Sequence, residues 1–470
     1  MIRDFMGMED MGKTLAERMA DYTTRLRYED LPAEVVHEVK RRVIDSLGCA
    51  IGAYDAEPCT VGRNIASTLT AKQGSTLLGT AHQSPPDWAA FVNGCMVRYF
   101  DYNDTYLSKE PAHPSDNIPA ALAVAEANGS SGRDLIAAIV IAYEIQCRLC
   151  DATSLRMIGW DHVTYGAFST AAACARLMGL DMERGRHAIN IAGVRSAALR
   201  QSRVGELSHW KGCAFADEAR HGVFAAMLAR EGMTGPAPIF EGDKGFEKLV
   251  SGPLVPVGPF GATPTPAGHD CMILKTSIKC WPVEYHAQSA VDAALQLRRE
   301  LSGPDQIQSV LVESHDAAVD IIGCEPEKWF PTTRETADHS LPYIVAAALM
   351  DGEITDRQFS SERFQDPRLL ALVQKVKVVR HAELSAAYPG AVGNIVTVTR
   401  IDHHSFTRRV DHACGHAANP MSDELVEKKF HALVDARLGS ARAADVVAWV
   451  WDLDKAQDLG ELLKLLEVSR

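Results

Sequence analysis

The feature that most constrains the fold is a helical pattern that runs almost without interruption from about residue 33 to residue 233. In "PAEVVHEVKRRVIDSLGCAIGA", apolar residues such as Val35, Val39 and Val43 recur at the spacing of one helix face. The segments that follow are rich in alanine and glycine and are apolar on more than one face. Helices of that kind are buried by other helices at close range. This half of the chain is therefore predicted to form an all-helical body.

The pattern changes near Gly252. The segment "SGPLVPVGPFGATPTPAGHD" contains five prolines and four glycines, so it is predicted to be an irregular connection. Beyond it, "IQSVLVES", "VQKVKVVRH" and "NIVTVTRIDHHSFTRRVDHA" alternate as strands do, and helical periodicity returns from "MSDELVEKKFHALVDARLG". We predict a mainly α fold, in which residues 1–270 and 413–470 form a large all-helical domain and residues 271–412 form a smaller inserted α+β lobe.

The charge balance and the N-terminus exclude some classes of partner. Lysine and arginine total 48 residues against 61 aspartates and glutamates, which gives a formal net charge of −13. Proteins that bind a phosphate backbone need a basic face, so nucleic acid is not an expected partner. The longest apolar run, residues 135–145, is short of the ~20 residues that span a membrane, and the N-terminus has no signal-peptide apolar region. We expect a cytoplasmic protein, or an organellar matrix protein whose presequence is missing, without membrane contacts.

A polar segment, "RYFDYNDTYLSKEPAHPSDN", separates two apolar helical patterns. Its acids and amides resemble the start of a calcium loop, but the glycine and the glutamate that an EF-hand requires are missing. Asp101 and Thr105 can instead cap a helix end, and Ser115 or Asp116 can N-cap the next helix. His113 then lies just before a helix N-terminus, where free N–H groups favour an anion and a histidine can transfer a proton.

Further candidates lie near predicted helix starts in both halves of the chain. His162 follows Asp161 at the start of a helix in "IGWDHVTYGAF". Lys211 falls in the first turn of the helix "HWKGCAFADEARHG", where the helix dipole disfavours a cation unless an anion compensates it. The segments "SIKCWPVEYHAQSA" and "ADHSLPYIVAA" add four more candidates: Lys279, His286, His339 and Tyr343.

The motifs of several common enzyme classes are absent from the sequence. No P-loop, dinucleotide glycine fingerprint, G-x-S-x-G elbow or H-E-x-x-H motif is present. The cluster "RIDHHSFTRRVDHACGH" does not have a usual spacing for structural zinc. The recurring histidines, lysines, tyrosine and threonine instead suit a cofactor-free site without a metal, in which cations hold a multiply charged carboxylate and histidine or tyrosine transfers protons.

Several motifs in series resemble the MmgE/PrpD family in order and spacing, from about residue 15 to residue 465. They are "DYNDT", "HPSDN", "GWDH", "WKGCAFADEARHG", "IKCWPVEYHAQSAVDAA", "DHSLPYIVAAALMDGEIT" and "GHAANPMSDELVEKKF". This family includes 2-methylcitrate dehydratases, itaconate-forming cis-aconitate decarboxylases and iminodisuccinate epimerases.

The resemblance implies a homodimer in which each chain has a helical domain, an inserted lid and, between them, a pocket that works without a metal or organic cofactor. By resemblance to the decarboxylase branch, the pocket positions here are Asp101, Thr105, His113, His162, Lys211, Lys279 and Tyr343. We assign catalysis to His113, His162, Lys211, Lys279 and Tyr343. We assign substrate binding to Asp101, Thr105, Ser115 and His286. The polar segment is then expected to be a hairpin between two buried helices that brings Asp101 and Thr105 from one end and His113 from the other to the pocket.

Two departures from the family patterns touch the predicted pocket. The segment "RQSRVGELSHWKG" differs from the methylcitrate dehydratase pattern, and Glu284 replaces a histidine of the decarboxylase pattern. We predict a cofactor-independent lyase for a small tricarboxylate, foremost a 2-methylcitrate dehydratase-like hydro-lyase with His113 and His162 as its acid/base pair. A cis-aconitate decarboxylase, a dicarboxylate epimerase and a non-catalytic helical protein that binds a partner are the alternatives.

Overall fold

The computed structural model describes residues 12–205, 207–261, 268 and 270–468, so residues 1–11 and part of the predicted irregular connection lie outside the described residues. The helices are α1 (Leu15–Arg25), α2 (Ala33–Gly52), α3 (Glu57–Ala66), α4 (Pro86–Arg98), α5 (Ile118–Asn128), α6 (Gly132–Ala152), α7 (Gly166–Leu177), α8 (Met182–Arg195), α9 (Trp210–Arg230), α10 (Gln288–Arg298), α11 (Asp316–Ala318), α12 (Arg334–Ala337), α13 (Leu341–Asp351), α14 (Ser361–Phe364), α15 (Pro367–Val373), α16 (Ala382–Ala387), α17 (Asp423–Leu438), α18 (Ser440–Trp451) and α19 (Gly460–Leu465). The strands are β1 (Ser75–Thr76), β2 (Gln83–Ser84), β3 (Ile307–Ser314), β4 (Val376–Arg380), β5 (Asn394–Arg400) and β6 (Ser405–Val410). The prediction of a mainly α fold is confirmed. No helix within these described ranges has both the length and the apolar character needed to cross a membrane.

Helices α1–α9 and α17–α19 share one hydrophobic core, which we call the first cluster. Its buried residues run from Leu15 to Ile278 and from Met421 to Leu466, so both ends of the chain contribute to it. Small residues allow its helices to approach closely. A Cβ atom placed on Gly94 of α4 would lie 2.9 Å from the Cβ atom of Ala216 of α9. The alanine and glycine content noted in the sequence therefore serves close helix packing.

A second cluster of buried residues, between Val283 and Val398, is built on a sheet. The strand order is β4–β3–β5–β6, with β3 parallel to β4 and the other neighbours antiparallel. Val310 and Val312 of β3 are buried, and helices α10 and α13 pack in the same cluster. These four strands lie in the three segments whose alternation predicted strands, because alternation buries one face of a sheet against helices.

The chain passes from the first cluster to the second just after Ile278. Cys271, Met272 and Ile273 belong to the first cluster, whereas the second begins with Val283. The short stretch between the two clusters contains Lys279, one of the predicted site residues. The domain limits 1–270, 271–412 and 413–470 stay predictions.

Candidate active site

The polar segment between α4 and α5 forms a hairpin, as its sequence predicts. Tyr106 and Ala112 pair in an antiparallel bridge whose two N–H···O distances are 2.8 Å and 2.9 Å. Thr105 and Ser277 exchange two backbone hydrogen bonds of 2.8 Å each. These bonds attach the hairpin to the stretch that carries Lys279, although the two segments are far apart in sequence.

The start of α5 differs from the predicted cap. A 3₁₀ turn, Pro114–Asn117, precedes α5, and no side chain caps the α-helix. Ser115 instead accepts a 2.8 Å hydrogen bond from Asn103 through its hydroxyl, and its N–H donates to Asp104 Oδ1 at 2.9 Å. Ser115 is fully buried and does not line the cavity. These contacts support the hairpin, and a role of Ser115 in substrate binding stays a prediction.

A cavity of about 100 Å³ is lined by residues of the hairpin, of α9 and of the stretch after residue 278. Its described lining contains every predicted site residue except Ser115 and Tyr343. Six of the described lining residues are cationic: Arg98, Arg156, Arg200, Arg203, Lys211 and Lys279. Against them stand two carboxylates, Asp101 and Glu284. This excess of positive charge on an acidic protein suits a ligand with several carboxylates.

Asp101, at the cavity wall, contacts several basic side chains. Its backbone has φ of +50°, a conformation that few residues other than glycine adopt. Its Oδ1 accepts hydrogen bonds from Arg98 Nη1 and, at 2.8 Å, from Lys279 Nζ, while Lys211 Nζ and His339 Nε2 lie 3.4 Å and 3.5 Å from Oδ2. Burial would raise the pKa of Asp101, but Arg98, Lys211 and Lys279 hold it well below its usual value. Asp101 is therefore an ionised anchor for the lysines.

Burial favours the neutral form of the two lysines that line the cavity. Burial lowers the pKa of Lys279 to about 8, although Asp101 opposes this change. Burial also lowers the pKa of Lys211, again against the effect of Asp101. A ligand carboxylate would stabilise the charged form of both side chains, so these lysines are suited to bind an anion.

Another buried lysine, Lys429 of α17, fixes the backbone of two site segments. Its Nζ donates to the carbonyl of Tyr102 at 2.7 Å and to the carbonyl of Lys279 at 2.9 Å. The same Nζ lies 2.6 Å from Asp45 Oδ1 and 3.6 Å from the centre of the Tyr102 ring. The C-terminal part of the chain, through Lys429, thus positions the backbone of Tyr102, which follows Asp101, and the backbone of Lys279.

His162 is held by the carboxylate that precedes it. It begins the 3₁₀ turn His162–Tyr165 before α7, and its Nδ1 lies 2.9 Å from Asp161 Oδ1. Asp161 Oδ2 accepts hydrogen bonds from Arg203 Nε at 2.8 Å and from Ser202 Oγ at 2.6 Å. Because an ionised carboxylate only accepts hydrogen bonds, Nδ1 carries a proton.

The other ring nitrogen of His162 is one of several buried polar atoms of the cavity lining without a hydrogen-bond partner among the described residues. Nε2 is buried and has no hydrogen-bond partner among the described residues. Burial lowers the pKa of His162 despite the opposing charge of Asp161, so the ring is neutral and Nε2 has a free lone pair. Asp161 stays ionised because Arg203 and His162 outweigh the effect of burial and hold its pKa well below the usual value. This pair has the geometry of a general base.

His113 differs from His162 because both of its ring nitrogens are occupied. Nδ1 lies 2.8 Å from the carbonyl oxygen of Asp104 and 3.0 Å from Thr105 Oγ1. Nε2 lies 2.8 Å from Arg98 Nη2, and a guanidinium can only donate, so Nε2 accepts. Burial and the nearby Arg98 lower the pKa of His113 well below its usual value. The ring is therefore neutral and holds Arg98.

Tyr343 lies outside the cavity, in contrast to its predicted role. It is fully buried in α13 within the second cluster, and its hydroxyl donates to the carbonyl of Gln358 at 2.6 Å. A helix start that carries a tyrosine looks the same in sequence whether it faces a cavity or a core. Only the packing of α13 places this side chain in the core, and its catalytic role stays a prediction.

Sequence reasoning missed several cavity arginines. Arg98 precedes Asp101 by three residues at the end of α4, a spacing that brings the two side chains together. Arg200 and Arg203 share the 3₁₀ turn Arg200–Arg203, within the segment that departs from the dehydratase pattern. The signal available in the sequence was the pair of positive charges shortly before the helix that carries Lys211. It could not show that these side chains face the cavity.

The histidine-rich segment after β5 was the best candidate in the sequence for a metal site. Among the described residues, no group of three or more histidine, cysteine, aspartate or glutamate side chains is arranged to hold a metal ion. The rings of His412 and His416 lie 4.6 Å apart, and His403 is in the turn between β5 and β6 with φ of +65°. The turn between β5 and β6 therefore holds His403 away from His412 and His416, which follow the other end of β6.

Fold and cavity together define a mainly α protein with a cationic site that contains carboxylate-paired histidines. Models of the MmgE/PrpD N-terminal domain and the MmgE/PrpD C-terminal domain match residues 17–256 and residues 281–453. The chain belongs to the MmgE/PrpD family.

Curated relatives carry two different activities in their names. The chain is 30% identical over 412 residues to 2-methylcitrate dehydratase of Cupriavidus necator, with 82% of each chain covered. It is 29% identical over 417 residues to 2-methylcitrate dehydratase of Salmonella typhimurium, covering 82% of this chain and 83% of the relative. It is 26% identical over 483 residues to cis-aconitate decarboxylase of Mus musculus, covering 97% of this chain and 94% of the relative.

Proposed function

We propose that the protein is a cofactor-independent lyase acting on a small tricarboxylate, foremost a hydro-lyase similar to 2-methylcitrate dehydratase. The observation that carries the proposal is the unpartnered Nε2 of His162 in a cavity with six cationic side chains. Removing a proton next to a carboxylate is difficult because negative charge accumulates on that carboxylate. A general base within a cationic site meets both needs of such a step.

In the proposed mechanism, Lys211, Lys279 and Arg98 hold the carboxylates of the substrate and stabilise the charge that develops. Asp101 keeps these cations in place, since it contacts all three in the free protein. Thr105, beside the His113 ring, lines the same cavity and is available to a carboxylate oxygen. The fixed charges are in position before the substrate binds, so little reorganisation is needed during the reaction.

His162 takes the proton from carbon in this mechanism, and Asp161 holds its tautomer and stabilises the imidazolium that forms. The sequence prediction made His113 the partner of His162 in acid/base catalysis. The contacts of both His113 nitrogens favour a positioning role toward Arg98 instead. The proton for the departing hydroxyl must then come from another group.

The alternative within the same class is decarboxylation of cis-aconitate. It is supported by the coverage of the whole chain in the comparison with the mouse decarboxylase. Loss of CO₂ leaves a carbanion, which needs the same cations and then a proton. Epimerisation of a dicarboxylate is a further possibility, since it needs proton-transfer groups on two faces of one carbon.

Incubation with four carboxylates separates these reactions. The purified protein is mixed with 2-methylcitrate, citrate, cis-aconitate or iminodisuccinate, and absorbance of an unsaturated product, CO₂ release and optical rotation are followed. We expect an unsaturated product without CO₂. Release of CO₂ would show a decarboxylase, and a change of optical rotation alone would show an epimerase. Absence of all three signals and of thermal protection would favour a non-catalytic protein.

The pKa of Lys279 gives a testable pH dependence. Because the cationic form binds the carboxylate and is lost as pH rises through about 8, kcat/KM is expected to fall by about tenfold per unit above that pH. The control is Lys279→Arg, which stays charged throughout. Profiles of kcat/KM between about pH 6 and about pH 10 test this expectation. An unchanged fall in the arginine variant would assign the titration to another group.

A homodimer and a cytoplasmic location are also proposed. The apolar side chains of Met157, Ile158 and Leu199 are exposed next to the cavity arginines, and Arg200 N donates to the carbonyl of Gly159 at 3.1 Å, joining the two segments. Exposed apolar groups near each other are typical of protein–protein contacts. Size-exclusion chromatography with light scattering is expected to give about twice the chain mass of 51.2 kDa. A single-chain mass at micromolar concentration would contradict the dimer.

A further inference from the structure

The cavity contains a second carboxylate–histidine pair besides Asp161 and His162. Glu284 caps the 3₁₀ turn Tyr285–Ala287, and its Oε2 accepts the N–H of His286 at 2.8 Å. Its Oε1 lies 2.7 Å from His286 Nδ1, and both side chains line the cavity. The two pairs share one design, in which a carboxylate at a turn start binds Nδ1 of a nearby histidine.

The carboxylate of this second pair is ionised. Burial would raise the pKa of Glu284, but His286, His339 and Lys279 lower it to about 2. An ionised carboxylate next to Nδ1 keeps a proton on that nitrogen and stabilises the protonated ring. The two rings differ at Nε2: that of His162 is buried without a hydrogen-bond partner among the described residues, whereas that of His286 lies beside the hydroxyl of Tyr388, which can accept a hydrogen bond.

The other nitrogen of His286 is available to a ligand. Its Nε2 has a contact with the hydroxyl of Tyr388 at 3.4 Å, which is long for a hydrogen bond. The ring is held in place because His315 lies 5.1 Å away, centroid to centroid, and Asn394 donates to the carbonyl of His286 at 2.9 Å. A substrate oxygen at hydrogen-bond distance would replace a weak contact with a stronger one.

His339 is the competing candidate because it also has a carboxylate beside Nδ1, that of Asp338. Its Nε2, however, points to Asp101 Oδ2 at 3.5 Å, so this ring belongs to the ion cluster around Asp101. His286 has no such second carboxylate among its described hydrogen bonds and ion pairs. The geometry therefore favours His286 over His339 as a proton donor to substrate.

Resting on the proposed lyase function, we propose that His286, oriented by Glu284, is the acid that protonates the departing hydroxyl. The carbon-bound proton first moves reversibly to His162 Nε2 and leaves its electron pair on the carbon and the neighbouring carboxylate, and in a second step this pair forms the double bond. The carbon–oxygen bond breaks, and the hydroxyl takes the proton of His286 Nε2 and leaves as water. His162 precedes Val163 of the first cluster, and His286 precedes Ala287 of the second cluster. The two groups therefore reach the substrate from different parts of the fold.

The test separates proton abstraction from protonation of the leaving group. His286→Asn keeps a donor for Glu284 but removes Nε2. With 2-methylcitrate in D₂O, NMR follows loss of the carbon-bound hydrogen, and absorbance follows the alkene. We expect elimination to fall by about 10²-fold or more, while hydrogen wash-out from carbon stays within about threefold of wild type. The base variant His162→Gln is expected to lose both signals.

The matched control is His431→Asn, which removes another carboxylate-paired histidine, 2.8 Å from Asp435 Oδ1, outside the cavity. It is expected to leave both signals unchanged. Should His286→Asn fail to fold, Glu284→Gln removes the orienting charge and is expected to lower elimination by about tenfold with wash-out retained.

Two results would overturn the inference. One is a folded His286→Asn variant that eliminates water within about threefold of the wild-type rate. The other is a parallel loss of wash-out and elimination, which would make His286 a binding or structural residue. Failure of the proposed function looks different, because the wild-type protein would then give neither alkene nor wash-out with any of the four carboxylates.

Discussion

His162→Gln is expected to lower kcat on the true substrate by a factor of about 10²–10⁴, with little change of KM. The substitution removes the buried lone pair that has no hydrogen-bond partner among the described residues, and it leaves the cavity cations in place. Since the cations bind the carboxylates and His162 acts on the carbon proton, the loss falls on the chemical step. Steady-state kinetics on the substrate found in the four-carboxylate assay measure both constants.

Comparison with His113→Asn makes this prediction sharper. His113 accepts from Arg98 Nη2 at 2.8 Å, so its replacement removes one of the two side chains that hold Arg98, besides Asp101, and is expected to raise KM more than it lowers kcat. A kcat for His162→Gln within about tenfold of wild type, in a protein of unchanged melting temperature, would remove His162 from the role of base. An equal fall of kcat in both variants would restore the acid/base pair that the sequence predicts.

Lys429→Met is expected to cost about 3–5 kcal/mol of the free energy of unfolding. Lys429 Nζ lies 2.6 Å from Asp45 Oδ1, and both side chains are buried, so the substitution leaves a carboxylate without its cation in the first cluster. Burial already raises the pKa of Asp45, with Lys429 opposing it, and the variant loses that opposition. Unfolding by denaturant measures this loss of free energy, with the unfolding transition of the first cluster as the signal.

A double-mutant cycle controls for the loss of packing. Asp45→Asn combined with Lys429→Met leaves no unpaired charge and is expected to recover a substantial part of the lost stability. The folded double variant is still expected to be less active, because the carbonyls of Tyr102 and Lys279 lose their common donor. If the free-energy losses of the two single variants simply add in the double variant, the pair of charges contributes no coupling energy.

Much of the local structure could be predicted from the sequence because local periodicity reports which face is buried. The spacing of Val35, Val39 and Val43 predicts α2, and all three side chains are buried. The alternation in "IQSVLVES" predicts β3, and the polar segment after α4 predicts the hairpin. His162 could be found because Asp161 precedes it at a helix start, which is a local pattern.

Other positions could not be predicted because the same local pattern serves different surroundings. Tyr343 and His162 both stand near helix starts, yet one lies in a core and the other lines the cavity. Ser115 has the chemistry of a cap or a ligand, and in the structure its hydroxyl and its N–H contact Asn103 and Asp104. Such contacts depend on how elements pack, which short-range spacing does not encode.

By itself, the sequence determined the mainly α composition, the strand segments, the hairpin and the residue types that suit a carboxylate site. Only the tertiary structure decided which charges meet. Lys279 and Asp101 are 178 residues apart and form a 2.8 Å ion pair, and Lys429 reaches across 327 residues to the carbonyl of Tyr102. The reason is physical: burial faces follow from local periodicity, whereas the approach of distant side chains follows from the packing of whole helices around a shared core.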